Sequence, residues 1–371
     1  LLETGAHGEL QSYHPLLSPL IWTTIATGRP PDEHGILDFT SLDQNGSPIL
    51  VPSSKRKCAA LWNIVSSQGR SCVVAGWIAT WPAEKIPVTM VSDRFAPSLF
   101  VQEQNLLEEI IPQLTFPEKL SFTLYDLRKD YAQIGCPEFI PYLRLGEEDC
   151  QKILASPFTV YDRVHHFRLI LSRTETYADV LLYLLDNHPS DLTLAYFDAT
   201  DSVVHLFMQE RPPRRPQVTD EDYARFSNAV DAVYERMDRL LKDVLGRLNE
   251  QDTLIVLSDH GFRSGEERLK RSSLTTTGPA VSWHREKGVL LARGPSVQPG
   301  EIKDASVFDI APTLLAMLGI PPSLEMTGKI LPELVAGNTK VESIARAPDW
   351  DGDYHPPELP AVNAASSGLD L

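Results

Sequence analysis

Apolar positions along this chain alternate between two rhythms. Four short continuous runs stand out: "SCVVAGW" (71–77), "LTLAYFD" (192–198), "DTLIVLSD" (252–259) and "GVLLARG" (288–294). Each is rich in β-branched or aromatic residues and bounded by polar or turn residues, the pattern of a buried strand. Between them the period lengthens to three and four. The clearest case is 219–249, where Tyr223, Phe226, Val230, Val233, Met237, Leu240, Val244 and Leu248 share one helical face and Thr219 stands where a cap belongs. A second helix is predicted over about 158–187, and a third after Pro312 in "DIAPTLLAMLG". Strands alternating with helices predict an α/β fold, a three-layer α/β/α sandwich around a largely parallel sheet.

Other stretches break the rhythm. Residues 83–157 are proline-rich with weak periodicity, and predict an insertion or cap over the sheet edge. The core is then expected in 1–82 and 158–335. "QERPPRRPQV" (209–218) reads as a proline- and arginine-rich loop leading into the long helix. The tail over 336–371, with "PDWDGDYHPPELP", predicts an extended, loosely packed segment.

The stretch "LLSPLIWTTIATGRPPDEHGI" (16–36) predicts a helix start. Ser18 sits at a cap position, Pro19 suits the first helical position, and Gly28 suits the residue past the end. A hydroxyl there lies beside unsatisfied backbone N–H groups and a positive dipole end, which hold phosphate well. Capping alone is the simpler role for it.

Composition narrows the partners. The 371 residues include 34 basic and 50 acidic side chains, a formal charge of -16, which argues against a nucleic-acid duplex or an anionic membrane as main partner. A phosphorylated small molecule stays open, because a local cation outweighs the global field. Cys58, Cys72, Cys136 and Cys150 form no C-x-x-C pair, and buried free thiols are expected. No apolar run is long enough to span a bilayer.

Three segments carry ligand-type residues. In "YFDATDSVVHLF", Asp201 and His205 lie four apart and share a helical face. In "LIVLSDHGF", Asp259 and His260 follow an apolar strand, and Gly261 permits a sharp turn. In "SWHREKGVLLARG", His284 precedes another strand. Singly each reads as a structural residue. Together they form a carboxylate and imidazole set suited to divalent ions, and five ligands exceed one tetrahedral site. Two ions are therefore implied, with Ser18 as nucleophile.

With "TGRPPDEHGI", "SDHG", "SWHREKG" and "DIAPTLLAMLGIP" in order, the chain resembles the alkaline phosphatase superfamily, in its type I phosphodiesterase/nucleotide pyrophosphatase branch. The resemblance runs from Leu1 to about Leu331. It implies a nucleophile ten residues before the Gly of the "TG" pair, which is Ser18. It implies that Asp201, His205 and His284 bind one ion, and that Asp259, His260 and Ser18 hold the other. The ions would be zinc, or alternatively manganese or magnesium. It also implies a first strand ending in an Asp upstream of residue 1. Sulfatases of this superfamily carry an Arg four residues after the nucleophile; here that position is Trp22, which disfavours a sulfatase. The expected activity is hydrolysis of a small-molecule phosphodiester through a phosphoserine intermediate. Monoester hydrolysis, phospho-group transfer and an inactive scaffold are the alternatives.

Overall fold

The computed structural model describes residues 3–43, 45–96, 113–159, 161–269, 280–335 and 341–359. All four apolar runs are strands: β4 (Cys72–Ala75), β7 (Leu192–Ala195), β8 (Leu254–Leu257) and β11 (Lys287–Arg293). With β1 (Ala6–Gln11), β5 (Thr89–Val91), β6 (Thr115–Phe116) and β12 (Gly300–Ser306), they form two four-stranded sheets. One runs β12-β1-β11-β8, the other β6-β5-β4-β7. β4 pairs parallel with both β5 and β7, and β1 parallel with β12. β11 runs antiparallel to β1 and β8, and β6 antiparallel to β5. Two hairpins are added by β2 (Thr40–Leu42) with β3 (Pro48–Leu50), and β9 (Gly261–Phe262) with β10 (His284–Arg285).

One core joins both sheets. Leu10, Leu290, Ala292 and Ile302 from the first and Cys72, Val74, Met90 and Leu194 from the second pack against three helices. These are α1 (Ser18–Thr27), α3 (Leu61–Ser67) and α11 (Ile310–Met317). Helix α1 is buried all round, its Thr23 and Thr27 hydroxyls donating to the Pro19 and Thr23 carbonyls of the helix itself. It ends at Gly28, whose φ of 68° and N–H bond to the Thr24 carbonyl make a left-handed C-cap. The short α2 (Pro31–His34) follows.

The opposite face of the second sheet is covered by α4 (Leu120–Leu124) and by Tyr177, Val180 and Leu184 of α7 (Arg163–Asn187). This completes the α/β/α layering of an α/β fold. A further apolar cluster binds α7 to α5 (Cys136–Phe139), α6 (Glu147–Ala155), α8 (Ala199–Phe207), α9 (Asp220–Phe226) and α10 (Ala229–Leu245). The single helix expected over 219–249 is thus two, broken between Phe226 and Ala229. Thr219 does cap the first, accepting from the Asp222 N–H at 3.0 Å.

Three further features shape the fold. The stretch 83–157 supplies edge strands β5 and β6 as well as helices α4 to α6. Cys136 and Cys150 are not free: α5 and α6 bring their Cα atoms to 5.9 Å, and a disulfide joins them, while Cys58 and Cys72 are buried thiols. Residues 349–359 lack helix or strand, yet Trp350 and Tyr354 pack on the core and Asp351 accepts from the Ala59 N–H at 2.7 Å, so this part of the tail is anchored. Among the described residues no helix is long and apolar enough to cross a membrane.

Candidate active site

Five ligand-type side chains reach one rim because of strand direction. β8 delivers Asp259 and His260 at its carboxyl end. β11 runs antiparallel to β8, so His284, before its start, lies at that same end. Asp201 and His205 sit on α8, which follows β7. Glycines permit the close approach: a Cβ at Gly288 would collide with the Ser258 carbonyl, and one at Gly261 with that of Lys287. Gly261 therefore serves strand contact rather than the sharp turn expected of it.

The distances are short. His205 Nε2 lies 3.0 Å from His284 Nε2. Asp201 Oδ1 lies 3.5 Å from His205 Nε2, 3.6 Å from His284 Nε2 and 4.0 Å from His260 Nε2. Asp259 Oδ2 is 3.5 Å from His260 Nε2. The rings of His260 and His284 stack at 3.7 Å. One ligand atom each from Asp201, His260 and His284 falls within 4.8 Å of the others, the spacing of a cation site.

Ser18 is the first residue of α1 and does not cap it. Leu17 holds the cap position, and no side chain bonds the helix N-terminus there. The Ser18 hydroxyl instead lies near the Asp259 carboxylate and favours that group's charged form. A second tie comes from the backbone, where His284 Nδ1 lies 2.9 Å from the Leu16 carbonyl oxygen. Donation there leaves Nε2 facing the cluster, the second-sphere arrangement that orients ligating imidazoles.

Burial sets the charge states. It pushes the Asp259 carboxyl up, and His260 and Ser18 only partly oppose this. Burial also acts on Asp201, but the imidazoles of His205, His260 and His284 outweigh it and hold that carboxyl below its ordinary value. Desolvation, with His260 adding to it, lowers His284 to about 4, so its ring is neutral and able to ligate at neutral pH.

Three buried atoms here have no hydrogen-bond partner: Asp201 Oδ1, Asp259 Oδ2 and His260 Nε2. Buried polar atoms are nearly always paired, and each unpaired one costs roughly 1–3 kcal/mol. Three such atoms, two carboxylate oxygens and one imidazole nitrogen, converging beside Ser18 fit a divalent cation in both chemistry and number.

Sequence patterns did not reveal the aromatic walls. Phe262 and Trp283 pack edge-on to His205 at 4.9 and 6.4 Å. Trp22, one turn along α1 from Ser18, packs at 5.0 Å against both Trp77 and Tyr196. Phe262 and Trp283 adjoin ligand segments in sequence, but adjacency does not show which ring faces the site.

Over 155 residues the chain is 24% identical to mouse GPI ethanolamine phosphate transferase 3, catalytic subunit, covering 42% of this chain and 12% of that protein. Over 117 residues it is 33% identical to the Drosophila melanogaster extracellular sulfatase SULF-1 homolog, covering 30% of this chain and 10% of the relative. The chain thus spans only about an eighth of the first of these curated relatives. Among solved structures, murine ectonucleotide pyrophosphatase/phosphodiesterase 5 in complex with AMP aligns with a TM-score of 0.48 at 12% identity, covering 90% of this chain and 92% of that one. The family model described as type I phosphodiesterase / nucleotide pyrophosphatase matches residues 1–307, and the chain belongs to that family.

Proposed function

We propose that this protein is a metal-dependent phosphodiesterase whose nucleophile is Ser18. The observation that carries the reading is the convergence of Asp201, His260 and His284 ligand atoms, with Asp201 Oδ1, Asp259 Oδ2 and His260 Nε2 buried and without partners. Asp201, His205 and His284 would hold one divalent ion, and Asp259 and His260, with Ser18, a second. When bound, such ions supply Lewis-acid stabilisation of charge on phosphoryl and leaving oxygens.

The chain's own groups do the rest. Asp259 orients the Ser18 hydroxyl and draws on its proton. Oγ attacks phosphorus, the bond to the leaving alcohol oxygen breaks, and a phosphoserine forms at the start of α1. The positive end of that buried helix favours the added negative charge. Water then cleaves the phosphoserine, releasing the phosphoester product and restoring the hydroxyl. Transfer to an acceptor alcohol instead of water is a second reading, favoured by the likeness to the mouse ethanolamine phosphate transferase.

The test is turnover of bis-p-nitrophenyl phosphate and p-nitrophenyl phosphate by zinc- or manganese-loaded protein. We expect the diester to be preferred, a chelator to stop the reaction, and Ser18→Ala to lower kcat by about a thousandfold or more. Full activity in Ser18→Ala would end the proposal. Nitrophenol release that requires an added alcohol favours transfer over hydrolysis.

A further inference from the structure

The loop "QERPPRRPQV" has no part in the chemistry above, but its carbonyls converge on one buried side chain. Arg268 is only 5% exposed, and among the described residues it makes no ion pair with a carboxylate. Its guanidinium donates instead to four backbone carbonyls. Nε reaches Gly265 at 3.0 Å, one terminal nitrogen reaches Met208 at 3.3 Å and also Arg211, and the other reaches Pro213 at 2.8 Å. In return Arg215 of the loop donates to the Arg268 carbonyl at 2.6 Å, and Gln209 donates to the Leu269 carbonyl. Arg211 fixes the loop's other side through Asp231 of α10 at 2.7 Å.

The place of this clasp gives it meaning. Met208 caps the carboxyl end of α8, three residues after His205. Its carbonyl is among those a helix end leaves without an internal partner, and a cation there is favourable. Arg268 ends the segment that begins with Asp259 and His260. That same segment pairs through β9 with β10, setting Phe262 opposite His284, and the Arg263 N–H bonds the Trp283 carbonyl at 2.8 Å. One stretch of ten residues therefore touches all three ligand-bearing elements: Phe262 packs on His205 in the last turn of α8, and Arg268 hydrogen-bonds the carbonyl at that helix's end.

We infer that Arg268 is a positioning residue for the metal centre, fixing His205 and Asp201 on α8 relative to Asp259, His260 and His284. The inference rests on the metal-dependent reading above. Lysine cannot replace it, because a single ammonium lacks the planar fork that serves four carbonyls at once.

The experiment measures zinc affinity of the full-length protein by competition with a chromophoric chelator, alongside the thermal midpoint of the metal-free form and the kcat and KM for bis-p-nitrophenyl phosphate. Arg268→Met should weaken zinc binding about 10–100-fold, the usual cost of losing a group that orients ligands. Arg268→Lys and Gln209→Ala should each lose less, with kcat falling while KM holds. Arg247→Ala, which breaks a surface pair with Asp186, should leave zinc affinity unchanged. Arg268 variants that bind zinc as tightly as wild type, whatever their thermal midpoint, overturn the clasp alone. A wild-type protein that takes up no zinc overturns the metal reading and the clasp with it. If Arg268→Met does not fold, Arg268→Lys and Gln209→Ala decide the question by the same comparison.

Discussion

Two buried polar clusters in this molecule are built from similar materials and finished differently. Around Arg56 and Glu84 every strong group is paired. The two meet at 2.7 Å, both nearly inaccessible. Glu84 also accepts from the Trp62 indole at 2.6 Å and from Asn63 at 2.7 Å, while Arg56 donates to Asn63 and to the Cys58 carbonyl. Trp62 and Tyr354 flank the guanidinium at 4.9 and 5.0 Å. Around Asp259 and His260 the side chains are also largely buried, though Asp201 is partly exposed, yet three of their atoms lie together without a hydrogen-bond partner. Burial and charge are common to both clusters, so neither property identifies a site. They differ in completeness: a satisfied network rigidifies a fold, while unsatisfied buried atoms are costly unless something pairs with them.

The contrast breaks first at Glu84. Glu84→Ala leaves the Arg56 charge buried and unpaired, and should cost about 3–5 kcal/mol of unfolding free energy. Zinc affinity of the folded fraction should not change. Urea denaturation of metal-free protein gives the first quantity, and chelator competition the second. A loss under about 1 kcal/mol would mean that the network contributes little and that completeness marks nothing structural.

Acid sharpens the contrast at His34. This residue is fully buried, with Nε2 at 3.1 Å from Thr24 Oγ1 and Nδ1 accepting from the Ile36 N–H. A nitrogen accepting from a backbone N–H cannot also carry a proton, so the ring is neutral. Burial, with the nearby Arg56 charge adding to it, lowers its pKa to about 3. The unfolded chain binds a proton near pH 6.5, where the folded one does not. Stability contributed by the neutral ring is therefore complete above pH 6.5 and is lost as pH falls toward 3, by about 3 kcal/mol at pH 4. Denaturation of metal-free wild type against His34→Gln should show this slope in the first and a shallower one in the second. Equal slopes would separate His34 from the Arg56 cluster.

What the sequence discloses depends on the range of the interaction. The strands at 72–75, 192–195, 254–257 and 287–293 are legible because each is a short apolar run whose burial needs no particular partner. Gly28 is legible because the left-handed C-cap is a local backbone demand, and Thr219 because its bond to Asp222 spans three residues. The ligand segments show themselves for the same reason: Asp201 with His205, and Asp259 with His260, are local pairs. Longer-range facts stay hidden. The helical period runs unbroken through Phe226 to Val230, although the chain turns there. Cys136 and Cys150 look like any buried thiols until α5 and α6 bring them together. Arg268 looks like a surface charge, since nothing near it in sequence says that four carbonyls will surround it. His284 falls between the two cases. Its residue type suggests a ligand, but only the antiparallel course of β11 against β8 brings it to the rim.

The smallest effect bears most directly on the difference between the clusters. An acid whose folded pKa lies above its unfolded one costs stability once pH passes the unfolded value, and burial places Asp259 in that class. In metal-free protein its Oδ2 has no donor, so the carboxylate destabilises the fold that holds it. Asp259→Asn keeps the shape and removes the charge. It should raise metal-free stability at neutral pH by less than either change above lowers it, while any thermal stabilisation by zinc is reduced or lost. The same kind of change at Glu84 must have the opposite sign, because there the charge has a partner. If Asp259→Asn instead lowers metal-free stability, the carboxylate is already satisfied within the chain, and the centre at Asp259 is a second structural network like the one at Arg56.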